Sequence, residues 1–482
     1  MNDPIRKTST AALLLFIAVL VAITNIQVFQ APSLNADQRN KRTLYREFDN
    51  HRGPIIVDGE EIAYSTESDD DYGFQRIYKP GSLYAPVTGF FSVIVGRSGI
   101  ERYSNSLLNG SSDSLWLNRI KQLTTGKISQ GSSVELTIDA KVQQAAAKAL
   151  GNQRGAAVAI NVKTGAIVAM VSSPTYDPNE LASHDRAAVA KKYQELLEED
   201  GSPLTNRAIA GETYPPGSVF KLVTAAAALE NDTSVDDLDG GTGFQLPQST
   251  SVISNYGKGA CASGGKIDLA NALRISCNTA FADLGIRVGA DNLLAQARSF
   301  GFDESLAIPL PVTSSRFPQT GDQAQTAIAA IGQGSVRVTP LQVAEISATI
   351  ANGGKRMKPY LVSKVRTPDL QVQSETQPEQ LGQPISSATA ATLTDMMVSV
   401  VESGTGTKAQ ISGLKVAGKT GTAQTGDDGA PHAWFTGFAP ANDPQIAVAV
   451  VVENGGSLGS EATGGAVAAP IAAAILKAGV SK

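Results

Sequence analysis

GLKVAGKTGTAQTGDDGAP, residues 413–431, can be read as belonging to either of two folds. Its first eight residues satisfy G-x-x-x-x-G-K-[ST], the pattern of a phosphate-binding loop. The apolar run QIAVAVVVE (445–453) even ends in an acidic residue, as a metal-holding strand would. A phosphate-binding loop needs a helix to start at Lys419-Thr420, so that free N–H groups and the helix dipole meet the anion. The residues that follow, Gly421 to Pro431, are turn-formers and cannot supply that helix. LKVAGKTGTAQ is therefore read as a strand. HAWFTGFAP (432–440) and QIAVAVVVEN (445–454) are two more, and GAVAAPIAAAILKA (465–478) is a closing helix.

Upstream, GAAVAINVKTGAIVAMVSS (155–173) reads as a hairpin of two apolar strands around Lys163-Thr164-Gly165. SVELTIDAKVQQAAAKALG (133–151) is a strand running into a helix. Helical stretches lie between the two groups of strands: the run from Ser218, 267–289, 339–354 and 388–401. Residues 231–266 are Gly/Ser/Asp-rich and irregular, and 367–384 are polar and predict a surface hairpin or loop. Strands at both ends of a domain with helices between them predict an α/β (α+β) fold, a central antiparallel sheet covered by helices.

ETYPPGSVFKLVTAAAALE (212–230) holds the next signal. Pro215-Pro216-Gly217 ends whatever precedes it, and an apolar helix follows. Ser218 falls in its first turn, and Lys221, three residues on, shares its face. Alone, the pair reads as a helix cap and a snorkelling lysine. Two further tripeptides change its meaning: Ser276-Cys277-Asn278 and Lys419-Thr420-Gly421. In this order and in helix, loop and strand contexts, the trio resembles the active site of penicillin-binding proteins and serine β-lactamases. RGPI, TGAIVAMVSSPTYDPN and AIGQGSVRVTPLQVA look like the same family, and the resemblance covers nearly all of the chain after its apolar start.

The resemblance implies roles. Ser218 is the nucleophile, and Lys221, neutral through burial and a cationic neighbour such as Lys419, takes its proton. Ser276 relays a proton to the leaving amine, and Asn278 hydrogen-bonds the substrate's side-chain amide. Lys419, Thr420 and Thr422 hold the terminal carboxylate, and Gly421 leaves room for an extended peptide to lie along the strand. The backbone N–H groups of Ser218 and Thr422 form the oxyanion hole. The stretch before Ser133 is too short for a glycosyltransferase domain. The chain thus resembles a class B, monofunctional peptidoglycan D,D-transpeptidase of the short actinobacterial type. Its implied partners are stem peptides ending in D-Ala-D-Ala, β-lactam antibiotics and cell-division proteins, with no metal or organic cofactor. A β-lactam sensor or scaffold, and a carboxypeptidase or β-lactamase-type hydrolase, are the alternative readings.

Composition bounds the rest. The 482 residues carry a net charge of −5, which leaves no basic excess for nucleic acid. The three histidines, His51, His184 and His432, are scattered and make no metal-ligand spacing. Arg6 and Lys7 precede an uncharged stretch from Thr8 to Ala36, read as an uncleaved anchor in the plasma membrane with the catalytic domain outside the cytoplasm. Arg39, Lys41 and Arg42 on its far side weigh against that orientation. The expected organisation is a cytoplasmic tail (1–9), a transmembrane anchor (10–29), a small β-rich non-catalytic domain (30–140) and the transpeptidase domain (141–482). Cys261 and Cys277 are a disulfide outside the cytoplasm or two buried thiols.

Overall fold

The computed structural model describes residues 2–36, 47–111, 130–425 and 429–480. Arg39, Lys41, Arg42 and the turn residues 426–428 lie outside the described residues, as do parts of the 30–140 segment. Helix α1, Asn2–Thr24, continues as a wider turn, Asn25–Phe29, with its side chains exposed. Asp3–Phe29 is long and apolar enough to cross a membrane.

The catalytic sheet owes its composition to burial on both faces. Its strands are β5 (Gly155–Asn161), β6 (Ile167–Ser173), β9 (Ala417–Ala423), β10 (His432–Ala439) and β11 (Ile446–Val452). They pair antiparallel in the order β9-β10-β11-β5-β6, so β9 is an edge. Along β11, Ala447, Ala449 and Val451 enter one core while Val448, Val450 and Val452 enter another. A strand wanted by two cores is apolar at every position, which is why QIAVAVVV shows no alternation. One face is covered by α2 (Ala140–Leu150) and α7 (Gly464–Gly479), the other by α6 (Pro340–Ala351) and the helices that carry the motifs.

The smaller domain is built on a six-stranded sheet. Its own strands are β1 (Ile55–Val57), β2 (Glu60–Glu67), β3 (Phe74–Tyr78) and β4 (Ser133–Leu136). The remaining two are β7 (Val362–Arg366) and β8 (Val372–Glu375), giving the order β8-β7-β4-β1-β2-β3. Residues 367–384 contribute the second strand of a hairpin, in keeping with the hairpin reading: β8 folds back on β7, and β7 in turn pairs with β4 from Arg366↔Ser133 to Val362↔Leu136. The region also holds more helix than its β-branched composition predicts, with Gly81–Thr88 helical despite Pro86. At its centre Glu101 is fully buried between two arginines. Arg52 Nε donates to Oε2 at 2.5 Å, and Arg76 Nε donates to Oε1 at 2.7 Å. Tyr78 adds a hydroxyl donor to the same carboxylate.

The helical reading of 267–289 needs correcting. The segment is two helices, α4 (Leu269–Arg274) and α5 (Asn278–Val288), broken at Ser276. Ser276 holds φ +62°, a conformation unfavourable for a residue with a Cβ. Cys277, next to it, is joined to Cys261 in a disulfide.

Candidate active site

Three elements converge at the edge of the catalytic sheet. The first is the turn Gly217–Phe220, which carries Ser218 and opens α3 (Lys221–Glu230). Gly217 has φ +53°, and its N–H is held by the carbonyl of Gly332 at 2.9 Å. Trp434 on β10 donates Nε1–H to the carbonyl of Pro215 at 3.2 Å, fixing the approach to the turn. The second element is the α4–α5 break with Ser276 and Asn278. The third is β9, with Lys419, Thr420, Gly421 and Thr422.

Lys221 is fully buried. Its Nζ donates to the carbonyl of Ser276 at 2.8 Å and to Asn278 Oδ1 at 2.7 Å. It also stands 3.4 Å from Ser276 Oγ and 5.3 Å over the Phe281 ring. Lys419 is equally buried, and its Nζ reaches Ser276 Oγ at 2.8 Å and its neighbour's carbonyl, Thr420 O, at 2.9 Å. Two amines thus share one hydroxyl. Among the described residues neither makes an ion pair with a carboxylate. Burial first, and the Lys419 charge second, hold Lys221 well below the ordinary amine range. Burial brings Lys419 down to about 7.

These distances bear on Lys221's protonation. A neutral amine has two N–H bonds and one lone pair. In that form the two short contacts, to Ser276 O and Asn278 Oδ1, use both N–H bonds and leave the lone pair with only the longer 3.4 Å contact to Ser276 Oγ. Among the described residues Ser218 Oγ makes no hydrogen bond to Lys221. The two sit one helical turn apart, with the hydroxyl half-buried.

The β9 residues divide by face. Gly421 faces the turn that carries Ser218, and Lys419 reaches the α4–α5 break. A Cβ at Gly421 would come 3.0 Å from Pro216 O and from Val219 Cγ1. Glycine at 421 therefore lets the serine's own turn pack against the strand, a tighter requirement than room for a peptide. A Cβ at Gly217 would meet Thr422 O at 2.9 Å, which places the backbone of Thr422 on the strand's free edge. The Thr420 hydroxyl is buried and bonded to Thr405 Oγ1 at 2.6 Å, while Thr422 is half-buried.

Two supporting residues escaped the motif reading. Asn255 accepts the N–H groups of Asn278 and Thr279 through one oxygen, at 2.9 and 3.1 Å, and so satisfies the first turn of α5. Thr405 anchors Thr420. Neither stands in a recognisable pattern. Asn255 comes from the irregular segment, and Thr405 from a Gly/Thr-rich turn.

Residues 155–477 match the family model described as the penicillin binding protein transpeptidase domain, and 52–134 match the penicillin binding protein A dimerisation domain. The chain is 45% identical to the peptidoglycan D,D-transpeptidase PbpA of Mycolicibacterium smegmatis and 44% identical to that of Mycobacterium tuberculosis, covering 99% of both chains in each case. Among solved structures, the ceftriaxone acyl-enzyme complex of penicillin-binding protein A from M. tuberculosis superposes with a TM-score of 0.88 at 44% identity, covering 91% of this chain and 100% of that one. The penicillin G acyl-enzyme complex of the same protein gives 0.85, with 89% and 99% covered.

Proposed function

The chain belongs to the class B penicillin-binding proteins, and from that premise we propose how its residues carry out peptidoglycan D,D-transpeptidation. Ser218 Oγ attacks the carbonyl between the last two residues of a stem peptide ending in D-Ala-D-Ala. Lys221 takes the hydroxyl proton on its lone pair. The tetrahedral oxygen is met by the N–H groups of Ser218 and Thr422, donors of a kind worth ~3–4 kcal/mol. The proton passes through Ser276 to the departing D-Ala nitrogen, the C–N bond breaks, and the peptide remains as an ester on Ser218. An amine from a second stem then attacks that ester, and the same groups return the proton to Ser218. Lys419, while charged, holds the leaving residue's carboxylate, with Thr422 beside it and Thr420 braced by Thr405. Asn278 orients Lys221 through Oδ1, and its Nδ2, which gives one hydrogen to the Ser254 carbonyl, offers the other to the substrate amide.

One observation supports this scheme above the rest: two buried amines converge on the single hydroxyl of Ser276 with no carboxylate among their partners in the described residues. A structural lysine would carry a counter-ion or reach water. The hydrolase reading asks in addition for a group that activates water, and no observation favours it.

The remaining assignments follow the same premise. Residues 10–29 anchor the chain in the plasma membrane, behind a short cytoplasmic tail (1–9), and the rest lies outside the cytoplasm. The Cys261–Cys277 bond suits an oxidising compartment. The domain over 30–140 serves as a pedestal and as the surface offered to cell-division proteins, and 141–482 perform the chemistry.

Intact-mass measurement after penicillin exposure tests the nucleophile. Wild type gains one penicilloyl adduct and the Ser218→Ala variant gains none. An adduct on the alanine variant removes Ser218 from its role.

A further inference from the structure

A cavity of about 1100 Å³ opens beside the nucleophile turn, beyond the last residues of β9. Tyr214 and Pro215, which lead into the turn, form one wall, and Gln424 and Thr425, which follow β9, form another. Its charged lining is Arg154, Arg207 and Arg337 against Glu212 and Glu453. His432 also lines it, but burial holds its imidazole below the ordinary value, so it adds no charge at neutral pH. Among the described residues, three guanidiniums thus face two carboxylates, in a chain whose total charge is negative.

Two of the three are already engaged. Arg207 Nε meets Glu453 Oε1 at 2.9 Å, and Arg154 Nε meets Oε2 at 2.5 Å, with Asp200 a further 3.5 Å contact of Arg154. The same Glu453 accepts the Tyr214 hydroxyl at 2.7 Å, so this cluster braces the cavity wall. Arg337 differs. Its Nη1 donates to the carbonyls of Gly334 and Val336, both at 2.8 Å, which orients the guanidinium. Among the described residues neither Nε nor Nη2 of Arg337 has a partner, and Glu212, which is exposed, makes no ion pair. A planar cation held by one nitrogen and open at the other two is suited to a bidentate carboxylate.

The direction of the donor peptide brings the two together. With its terminal carboxylate at Lys419 and its scissile carbonyl at the Thr422 N–H, the peptide runs antiparallel to β9. Its upstream residues then advance about 3.4 Å each toward the end of the strand. Two to three residues before the scissile bond it stands opposite Gln424 and Thr425, at the mouth of the cavity. We propose that this cavity receives the upstream part of the acyl donor, and that Arg337 selects donors bearing a free carboxylate there. The inference rests on the transpeptidase reading, from which it takes the donor's direction.

The test uses the full chain and two synthetic peptide thioesters. They differ only in a side-chain carboxylate or carboxamide placed two to three residues before the thioester. Acylation of Ser218 is followed by intact mass. Wild type is expected to prefer the carboxylate donor roughly tenfold in kcat/KM, less at high salt. Arg337→Gln brings the ratio near one, and Arg337→Lys, which keeps the charge and loses the fork, keeps part of it. Complete penicillin labelling certifies that each variant is folded. A wild-type ratio near one, or a ratio unmoved by Arg337→Gln, overturns the inference alone. Failure of wild type to take penicillin overturns the reading beneath it.

Discussion

Two clusters of buried charge in this molecule are built on opposite rules. In the smaller domain Glu101 lies between Arg52 and Arg76, with every charge facing one of opposite sign. In the catalytic domain Lys221 and Lys419 share Ser276, like beside like, with no carboxylate among their partners in the described residues. Burial pushes the Glu101 carboxyl up, and the two guanidiniums more than reverse that, leaving it below its ordinary value and charged. Burial pushes both lysines down, nothing reverses it, and each is driven toward the neutral amine. The first cluster is an inert joint. The second holds amines that water would have kept protonated.

The comparison breaks most sharply at Lys221. Lys221→Ala is expected to slow penicillin acylation by ~10²–10⁴-fold, the worth of a general base. The fold should stay intact, because among the described residues no carboxylate is stranded by the loss of the amine. Stopped-flow acylation with calorimetry checks both, and near-normal acylation would remove Lys221 as the base. Glu101→Gln should show the reverse pattern. It leaves two buried guanidiniums without their anion and costs about 3–5 kcal/mol of stability. The surviving folded protein should label at the wild-type rate. The sign with pH follows from the lowered carboxyl: the Glu101 contribution is present above the unfolded carboxylate range and is lost as pH falls through the folded value.

The mildest effect is the pH profile of acylation. Activity should rise as Lys221 sheds its proton, then fall above about pH 7 as Lys419 loses the charge proposed to hold the substrate carboxylate. The pair titrates together, so the two limbs belong to the cluster as a whole. Lys419→Arg keeps its charge throughout and should flatten the alkaline limb. A limb that persists in that variant would assign it to another group.

What could be read from the sequence was what local pattern encodes. Ser218 and Lys221 are three apart after a Pro-Pro-Gly stop, and QIAVAVVV declares a strand buried on both sides. The turn-forming residues after Lys419-Thr420 alone decided between strand and phosphate loop. What stayed hidden depends on distant chain meeting. Asn255 touches α5 only because the irregular segment folds over it. Thr405 meets Thr420 across a turn, and Arg337 faces Gln424 only once the sheet is closed. The break at Ser276 was hidden for another reason: residues on either side favour helix, and only tertiary contacts impose its positive φ. The glycine at 421 was legible as necessary, but its reason, the proximity of Pro216 and Val219, was not.

The hairpin from 362 to 375 has a practical consequence. It lends two strands to a sheet whose other members lie more than two hundred residues earlier in the chain, so the domains are sewn together. An enzyme trimmed to begin at residue 141 would keep every catalytic group yet lose β4, baring the unsatisfied backbone of β7 to solvent. Such a fragment is a candidate for strand-to-strand clumping rather than a minimal catalyst.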